Sequence, residues 1–300
     1  MEKNSPKTIV ILGPTASGKS DLAISLAQKY DGEIISADSR QVYRGMDIGS
    51  GKVTKAEQAL APHHLLDIAD PKEDYNVTHF LRDAKKAHQE ILERGKLPII
   101  AGGTGFWVQT FIENQSFPGV KPNPELRERL GKKSLEELSA ELSAKDPVRA
   151  KTIDKKNPLR LIRALEIIEV LGKVPEAGTP KIRNERYVIL ALDPERRTVL
   201  ENIRLRLKKR FREGLVQEVE RLNKEGVSWK RLESFGLEYK YIALFLQKKL
   251  KRAEMETLLL QEISRYAKRQ MTWLRRMEAA GWDIHWIKNT ESALEIIEKA

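Results

Sequence analysis

Residues 13–20 form a glycine-rich loop that matches the pattern G-x-x-x-x-G-K-[ST]. In this pattern the glycines let backbone N–H groups surround phosphate oxygens at the start of a helix. The lysine adds a positive charge, and the last hydroxyl is placed to bind Mg²⁺. The predicted phosphate-binding residues are Gly13, Pro14, Thr15, Ala16, Ser17, Gly18, Lys19 and Ser20. The pattern predicts a site for a phosphate chain and leaves open which phosphate compound binds there.

Polar residues follow the next two predicted strands. Asp38 comes directly after the apolar stretch Glu33–Ala37, and Thr104 lies in a glycine turn after Lys96–Ala101. Because ligands of open α/β sheets bind outside the carboxyl ends of the strands, we expect both residues to face the phosphate loop. Asp38 is a candidate base or, alternatively, a turn or cap residue. Thr104 is equally a candidate ligand contact or a packing residue of the turn.

The strand before Thr104 ends in glycines and has no aspartate to hold a metal ion. This weakens the interpretation as a motor or switch ATPase. A small-molecule or nucleotide kinase stays open, since Asp38 can also deprotonate the acceptor of a phosphoryl group. Ser39, Arg40 and Gln41 follow Asp38 and offer polar side chains that can contact the edge of a base.

Strands that alternate with helices predict an α/β fold with a parallel sheet. The predicted strands are Thr8–Leu12, Glu33–Ala37, Lys96–Ala101, Arg186–Leu192 and Ile284–Ile287. Asp21–Tyr30 and Val77–Glu93 have the apolar spacing of helices. Residues 114–185 lose the strand pattern and become polar, helical and rich in proline, from Pro118 to Pro180. We therefore predict a catalytic core of residues 1–113 and 186–300, interrupted by a helical insertion of residues 114–185.

Composition narrows the location and the partners of the chain. The 300 residues carry a net charge of +11 and include no cysteine. The missing thiols exclude disulfides, thiolate metal sites and thiol nucleophiles, and fit a cytoplasmic protein. Residues 1–7 lack the features of a signal peptide, and no apolar run is long enough to span a membrane. The positive charge favours a polyanionic partner. His63 and His64 are adjacent, so we expect a structural role and not a metal site.

Five sequence blocks resemble a known family, the bacterial tRNA dimethylallyltransferases. The blocks are Gly13–Ser20, Asp38–Gly49, His63–Ile68, Gly102–Gly105 and Arg265–Trp273. The resemblance covers nearly the whole chain and implies a core like that of P-loop NTPases with a helical insertion. It also implies transfer of dimethylallyl from dimethylallyl diphosphate to N6 of the adenosine just 3′ of the anticodon, assisted by Mg²⁺. The implied partners are the anticodon stem-loop of tRNA and dimethylallyl diphosphate, and we expect a monomer.

The resemblance also implies roles for individual residues. Asp38 is similar to the family's general base and Thr104 to its contact with the target nucleotide. Lys19 and Arg206 correspond to residues on the diphosphate, and Ser20 to a metal ligand. The residues on tRNA-contacting positions of the family are Asp38, Ser39, Arg40, Gln41, Thr104, Arg127, Leu159, Arg160, Leu161, Ile162 and Arg163.

Several positions depart from the family's pattern. Trp107 stands where tyrosine is usual, Leu159 where glutamine is frequent, and Asn202 where an arginine commonly precedes Arg206 by four residues. The segment Gly49–Val53 reads Gly-Ser-Gly-Lys-Val in place of Gly-Thr-Ala-Lys-Pro. None of these changes falls on the proposed base or on the phosphate loop.

The segment from Arg265 to Met277 predicts a helix with one basic and one apolar face. The basic face has Arg265, Lys268, Arg269 and Arg276, and the apolar face has Leu259, Ile263, Tyr266, Trp273 and Met277. The basic face is available to RNA phosphates or, alternatively, only to solvent. Two other functions use the same loop: the kinase, and a basic RNA-binding NTPase without transferase activity.

Overall fold

The computed structural model describes residues 8–175 and 186–299. The expectation about a signal peptide at residues 1–7 lies outside these ranges, as does Pro180. The chain divides into two compact units, one formed by Met1–Asn114 with Lys181–Ala300 and the other by Gln115–Pro180. The second unit begins one residue after the start predicted for the insertion.

The larger unit is built on a parallel sheet of six strands in the described part of the chain, in the order β3-β2-β4-β1-β5-β6. The strands are β1 Thr8–Leu12, β2 Gly32–Ser36, β3 His63–His64, β4 Leu97–Ala101, β5 Tyr187–Leu192 and β6 Ile284–Ile287. All five residues of the central strand β1 are buried, as expected where helices cover both faces of a parallel sheet. The predicted α/β fold is confirmed.

Helices connect the strands of this unit. Before the insertion they are α1 Lys19–Lys29, α2 Lys55–Leu60, α3 Val77–Glu93 and α4 Gly105–Ile112. After it they are α9 Arg196–Arg212, α10 Leu215–Lys224, α11 Trp229–Phe235, α12 Leu237–Leu246, α13 Arg252–Ala279 and α14 Thr290–Lys299. The left-handed φ of 89° at Gly18 lets the phosphate loop turn directly into α1. Buried side chains of α1 and the sheet form one apolar core that includes Ile11 and Leu26.

The edge strand β3 explains the two adjacent histidines. His64 Nε2 lies 2.6 Å from Glu33 Oε2 on the neighbouring strand, and Arg94 Nη2 donates to the same oxygen at 2.7 Å. The Arg94 guanidinium and, to a smaller degree, His64 hold the pKa of the Glu33 carboxyl below its usual value despite burial. His63 Nδ1 lies 2.8 Å from the Ala61 carbonyl oxygen. Both rings therefore stabilise the sheet edge.

The smaller unit contains four helices among its described residues. They are α5 Pro124–Gly131, α6 Leu135–Lys145, α7 Pro147–Thr152 and α8 Pro158–Leu171. Prolines at the starts of α5, α7 and α8 occupy a position whose N–H is unpaired in any helix, and the preceding Asn123, Asp146 and Asn157 cap these helices. The unit has its own apolar core, which includes Leu130, Leu142 and Leu161. In residues 8–175 and 186–299 no helix is long and apolar enough to cross a membrane.

Candidate active site

The phosphate loop is held by contacts within itself and by a helix from the far end of the chain. Lys19 Nζ donates to the Pro14 carbonyl oxygen at 2.6 Å, so the side chain folds back over the loop. The Thr15 N–H donates to Gln270 Oε1 of α13 at 2.8 Å. Ser17 Oγ is buried and has no hydrogen-bond partner in the described chain. An orphan hydroxyl inside the loop is a vacant contact that an anion's oxygen can fill.

Gln270 also joins the phosphate loop to the glycine turn after β4. Its Nε2 donates to the Gly103 carbonyl oxygen at 2.9 Å, and the Tyr266 hydroxyl donates to the same oxygen at 3.3 Å. Gln270 is buried. Burial and the neighbouring Asp38 carboxylate raise the pKa of the Tyr266 hydroxyl, which keeps it a donor. Gln270 was not among the predicted site residues. Its role could have been detected from the sequence, because it is a glutamine on the otherwise apolar face of a predicted helix.

Asp38 both shapes its own turn and keeps one oxygen available. Its Oδ1 accepts the Arg40 N–H at 2.8 Å and the Gln41 N–H at 3.4 Å. Oδ2 has no hydrogen bond to the rest of the described chain. Thr104 Oγ1 accepts the Ser39 N–H at 3.1 Å, which fixes the glycine turn against the loop that carries Asp38. The turn role and the role as a base, which the sequence left as alternatives, are compatible because they use different oxygens.

The residues after Asp38 are engaged in internal contacts. Arg40 Nε donates to the Phe235 carbonyl oxygen at 2.7 Å, and its Nη1 donates to the Ser39 carbonyl oxygen at 3.1 Å. Gln41 Nε2 donates to the Gly51 carbonyl oxygen at 3.2 Å. These side chains therefore hold the neighbouring loops in place while lining the cavity.

Helix α9 brings a cation to the loop. Asn202 Nδ2 donates to the Ala16 carbonyl oxygen at 3.1 Å, which anchors the helix on the phosphate loop. One turn later, Arg206 is exposed to the cavity and makes no hydrogen bond or ion pair with the described residues. Loss of hydration and then the nearby Arg210 lower the pKa of the Arg206 guanidinium. An unpaired cation at this point favours a bound anion.

Electrostatic effects on Lys19 show that the predicted residues share one site. Burial lowers the pKa of Lys19 from 10.5 to about 8; the Asp38 carboxylate acts against this shift and Arg206 adds to it. These residues line a cavity of about 1310 Å³. The predicted site residues on its wall are Thr15, Ala16, Ser17, Gly18, Lys19, Ser20, Asp38, Ser39, Arg40, Gln41, Thr104 and Arg206. Gly13 and Pro14 lie behind this wall.

The cavity offers oxygen ligands to a metal ion. Ser20 and Asp21 are exposed, and both line the cavity with Asp38. In the described ranges no three His, Cys, Asp or Glu side chains form a metal-binding cluster. A donor set of one hydroxyl and few carboxylates fits Mg²⁺, which keeps several waters and binds substrate phosphates.

The residues of the smaller unit that were predicted to contact RNA differ in their exposure. Leu161 is fully buried and Ile162 is 8% exposed, so their side chains belong to the core of the unit. Their apolar character and helical spacing were the available signal. Leu159 and Arg160, in contrast, are exposed.

Two predicted RNA-binding arginines pair with a buried carboxylate. Arg127 binds Glu166 through two hydrogen bonds, at 2.6 and 2.8 Å, and Arg163 donates to Glu166 at 3.0 Å. The Glu166 side chain is 1% exposed. Burial alone would raise the pKa of Glu166, but the two guanidiniums and the Asn123 N–H hold it below its usual value. Both arginines therefore stabilise the insertion, whatever else they bind.

The two faces predicted for α13 agree with the structure. Arg265, Lys268, Arg269 and Arg276 are exposed. Leu259, Ile263 and Met277 are buried, while Tyr266 and Trp273 are partly buried. Trp273 packs so closely on Gly105 that a side chain at position 105 would overlap its ring. This contact sets the start of α4 beside Thr104.

Comparisons with known proteins identify the family of the chain. The sequence model of the IPP transferase family matches residues 41–277, and that of isopentenyl transferases matches residues 6–67. A tRNA dimethylallyltransferase of Treponema denticola is 46% identical over 285 residues, which are 93% of this chain and 95% of that protein. The chain belongs to the tRNA dimethylallyltransferase family. A Bacteroides fragilis member is 44% identical, with coverage of 97% of this chain and 94% of its own.

Solved structures of this family have the same fold. The tRNA isopentenylpyrophosphate transferase of Bacillus halodurans matches with a TM-score of 0.71 and 34% identity, over 98% of this chain and 95% of that one. A eukaryotic dimethylallyltransferase acting on tRNA matches with a TM-score of 0.79 and 28% identity, over 95% of this chain and 74% of that one. The resemblance stated from the sequence blocks is therefore confirmed at the level of family and fold.

Proposed function

We propose that this chain transfers a dimethylallyl group from dimethylallyl diphosphate to N6 of the adenosine just 3′ of the anticodon in tRNA, releasing diphosphate. The single observation that carries the assignment of roles is the free Oδ2 of Asp38 in the cavity that also holds the phosphate loop and the unpaired Arg206. The names of the family's members support the reaction and the tRNA substrate.

The proposed donor site lies at the phosphate loop. Loop N–H groups, Lys19 and Arg206 bind the diphosphate and stabilise the charge that it gains as the allylic C–O bond breaks. Bound Mg²⁺, held by Ser20 and the phosphates, would supply further neutralisation of that charge. Lys19 and Arg206 both line the cavity, and Arg206 lies close enough to lower the pKa of Lys19, which supports this placement.

The proposed acceptor site lies at Asp38 and Thr104. The adenine N6 amine is a weak nucleophile whose proton becomes acidic as the new C–N bond forms, so a base is needed late in the step. Asp38 Oδ2 accepts that proton, while Oδ1 keeps the turn in place through the Arg40 N–H. The adenosine must leave the anticodon-loop stack to reach this base, at a cost of a few kcal/mol that contacts to neighbouring nucleotides offset.

We assign the RNA contacts to the exposed basic face of α13 and to Leu159 and Arg160 of the insertion, with Arg127 and Arg163 available only through their outer edges. Binding of the anticodon stem-loop is expected to weaken steeply with added salt, because each phosphate contact releases counterions. A flat salt response would contradict a phosphate-tracking surface. Action as a monomer and a cytoplasmic location stay predictions.

The decisive variant is Asp38→Asn. The amide keeps an oxygen for the Arg40 and Gln41 N–H groups, so the turn is preserved while the base is lost. We expect transfer to slow by about 10²- to 10⁴-fold, with nearly unchanged affinity for tRNA. The measurement is the rate of dimethylallyl incorporation into tRNA at saturating donor, with stem-loop binding measured in parallel. Normal turnover would remove Asp38 from the mechanism.

The kinase and the RNA-binding NTPase are separated by labelled substrates. The protein is incubated with tRNA and either labelled dimethylallyl diphosphate or ATP labelled in its terminal phosphate. A prenyltransferase puts the first label into RNA, and mass analysis of the nucleosides identifies the modified base. A kinase would give a phosphorylated acceptor from the second label, and an NTPase would release it as free phosphate.

A further inference from the structure

Two arginines of helix α9 converge on a single glycine. A Cβ built on Gly51 would overlap Arg210 Nη2 and would lie 2.9 Å from Arg206 Nη2. Both nitrogens thus lie within about 3 Å of one point, so they are less than about 6 Å apart. At this distance two positive charges repel each other measurably, even near the protein surface. Gly51 also has a φ of 63°, in the left-handed region that favours glycine. The absence of a side chain at position 51 is what admits both guanidiniums.

Arg210 is held firmly along one edge. Its Nη1 donates to Glu238 Oε1 at 2.7 Å and to the Gly49 carbonyl oxygen at 3.3 Å. The side chains of Arg210 and Glu238 are only 14% and 8% exposed. Arg210 Nη2, the atom next to Gly51, has no hydrogen-bond partner among the described residues. The edge that faces Arg206 is thus available to a ligand.

The arrangement carries an uncompensated positive charge. Glu238 balances one of the two guanidiniums, and Arg206 has no ion pair within the described chain. Positive charges this close destabilise each other unless an anion binds between them. Both side chains line the cavity of the phosphate loop. Asn202, one turn before Arg206, contacts Ala16 of that loop, so α9 places the arginine pair close to the loop.

We propose that Arg210 is a second guanidinium of the diphosphate site, that Glu238 positions it, and that Gly51 leaves the room for it. This inference rests on the proposed function and assigns a binding residue that the sequence interpretation did not name. An RNA phosphodiester offers the same oxygen chemistry. The low exposure of Arg210 favours the small diphosphate, because an RNA backbone could not reach an enclosed side chain without displacing its neighbours.

The test compares binding of inorganic diphosphate with binding of an anticodon stem-loop. Arg210→Met removes the guanidinium and keeps an unbranched stem, and Arg210→Met with Glu238→Gln avoids leaving a buried carboxylate unpaired. Both are measured by titration calorimetry with Mg²⁺ present, after thermal unfolding has shown that they fold. Arg204→Met is the matched control, because Arg204 lies on the same helix, is exposed and has no ion pair or hydrogen bond to the described residues.

We expect both Arg210 variants to bind diphosphate at least about tenfold more weakly, the loss typical of one charged contact, with stem-loop affinity within twofold of wild type. Arg204→Met should bind diphosphate normally. Gly51→Ala removes no charge but displaces the two guanidiniums, so it should weaken diphosphate binding as well.

Diphosphate binding as tight as wild type in the double variant would overturn the inference. So would loss of stem-loop affinity alone, which would assign Arg210 to an RNA phosphate. Failure of the proposed function has a different signature, since the wild-type protein would then transfer no dimethylallyl group whatever Arg210 does. If Arg206→Met weakens diphosphate binding and Arg210→Met does not, the proposed role of Arg210 is wrong, while the proposed diphosphate site stands.

Discussion

Lys19 is expected to take up a proton when diphosphate binds. Burial against the phosphate loop lowers its pKa to about 8 in the ligand-free site, and the nearby Arg206 adds to the shift while Asp38 opposes it. A diphosphate placed on Nζ restores a pKa above about 10, as for a lysine in water. At pH 8 about half of the ligand-free molecules hold a neutral Lys19, so each binding event takes up about half a proton; at pH 7 the uptake falls to about a tenth.

The same shift predicts how affinity depends on pH. The neutral fraction must be protonated before the charge pair forms, so the contribution of Lys19 to diphosphate affinity should fall about tenfold between pH 7 and pH 9. Stability has the opposite slope in the ligand-free protein. Between pH 8 and 10.5 the folded chain binds fewer protons at Lys19 than the unfolded chain does, so this residue makes the free energy of unfolding rise with pH across that window.

Titration calorimetry of inorganic diphosphate at several pH values, in two buffers of different ionisation heat, counts the protons. Lys19→Arg is the control because a guanidinium keeps its charge throughout this range. Diphosphate itself titrates, and this contribution cancels in the difference between the two proteins. Equal proton uptake and equal pH dependence in wild type and Lys19→Arg would refute the claim that burial lowers the pKa of Lys19 in the ligand-free protein.

Three further substitutions test the surroundings of the site. Gln270→Leu removes the acceptor of the Thr15 N–H. We expect calorimetry to show diphosphate affinity reduced by about tenfold, and the free energy of unfolding should fall by about 1–3 kcal/mol. Unchanged affinity would contradict the role of Gln270 in holding the phosphate loop. Tyr239→Phe deprives the buried Glu218 of a hydrogen bond and should cost about 1–2 kcal/mol in urea unfolding; no loss would mean that water replaces the hydroxyl. Glu166→Leu removes the shared acceptor of two arginines; because both arginines remain partly solvated, it should cost about 1–3 kcal/mol, measured in the same way.

Local sequence signals predicted the elements of the core well. Strand β1 and helix α3 have the predicted bounds, and the strand predicted as Glu33–Ala37 is observed as Gly32–Ser36. Buried parallel strands are apolar runs and amphipathic helices repeat every 3.6 residues, so both leave a mark in a short window. Strand β3 left none. It has two residues, His63 and His64, which pair with Ile34 and Ile35 of β2.

The chemical environment of the site was not predictable, since it depends on pairs that are distant in sequence. Thr15 and Gln270 are 255 residues apart, and Arg210 and Glu238 are 28 apart on different helices. The pattern of the phosphate loop fixes the backbone near the anion but not the cations that helices bring to it. The family's contact region was carried over as a continuous stretch, so it included Leu161 and Ile162, whose side chains are buried in α8.

The departure at position 202 shows how charge at such a site can be redistributed. The resemblance marks Asn202 as a lost arginine, yet its amide donates to the Ala16 carbonyl oxygen, a contact that requires a donor and no charge. Two turns later along the same helix, Arg210 enters the cavity through the space that Gly51 leaves open, a second departure from the family's pattern. Helix α9 runs past both the phosphate loop and the loop containing Gly51, so one helix contacts the sites of both departures. A substitution in this family is therefore best interpreted together with the residues that share its helix face.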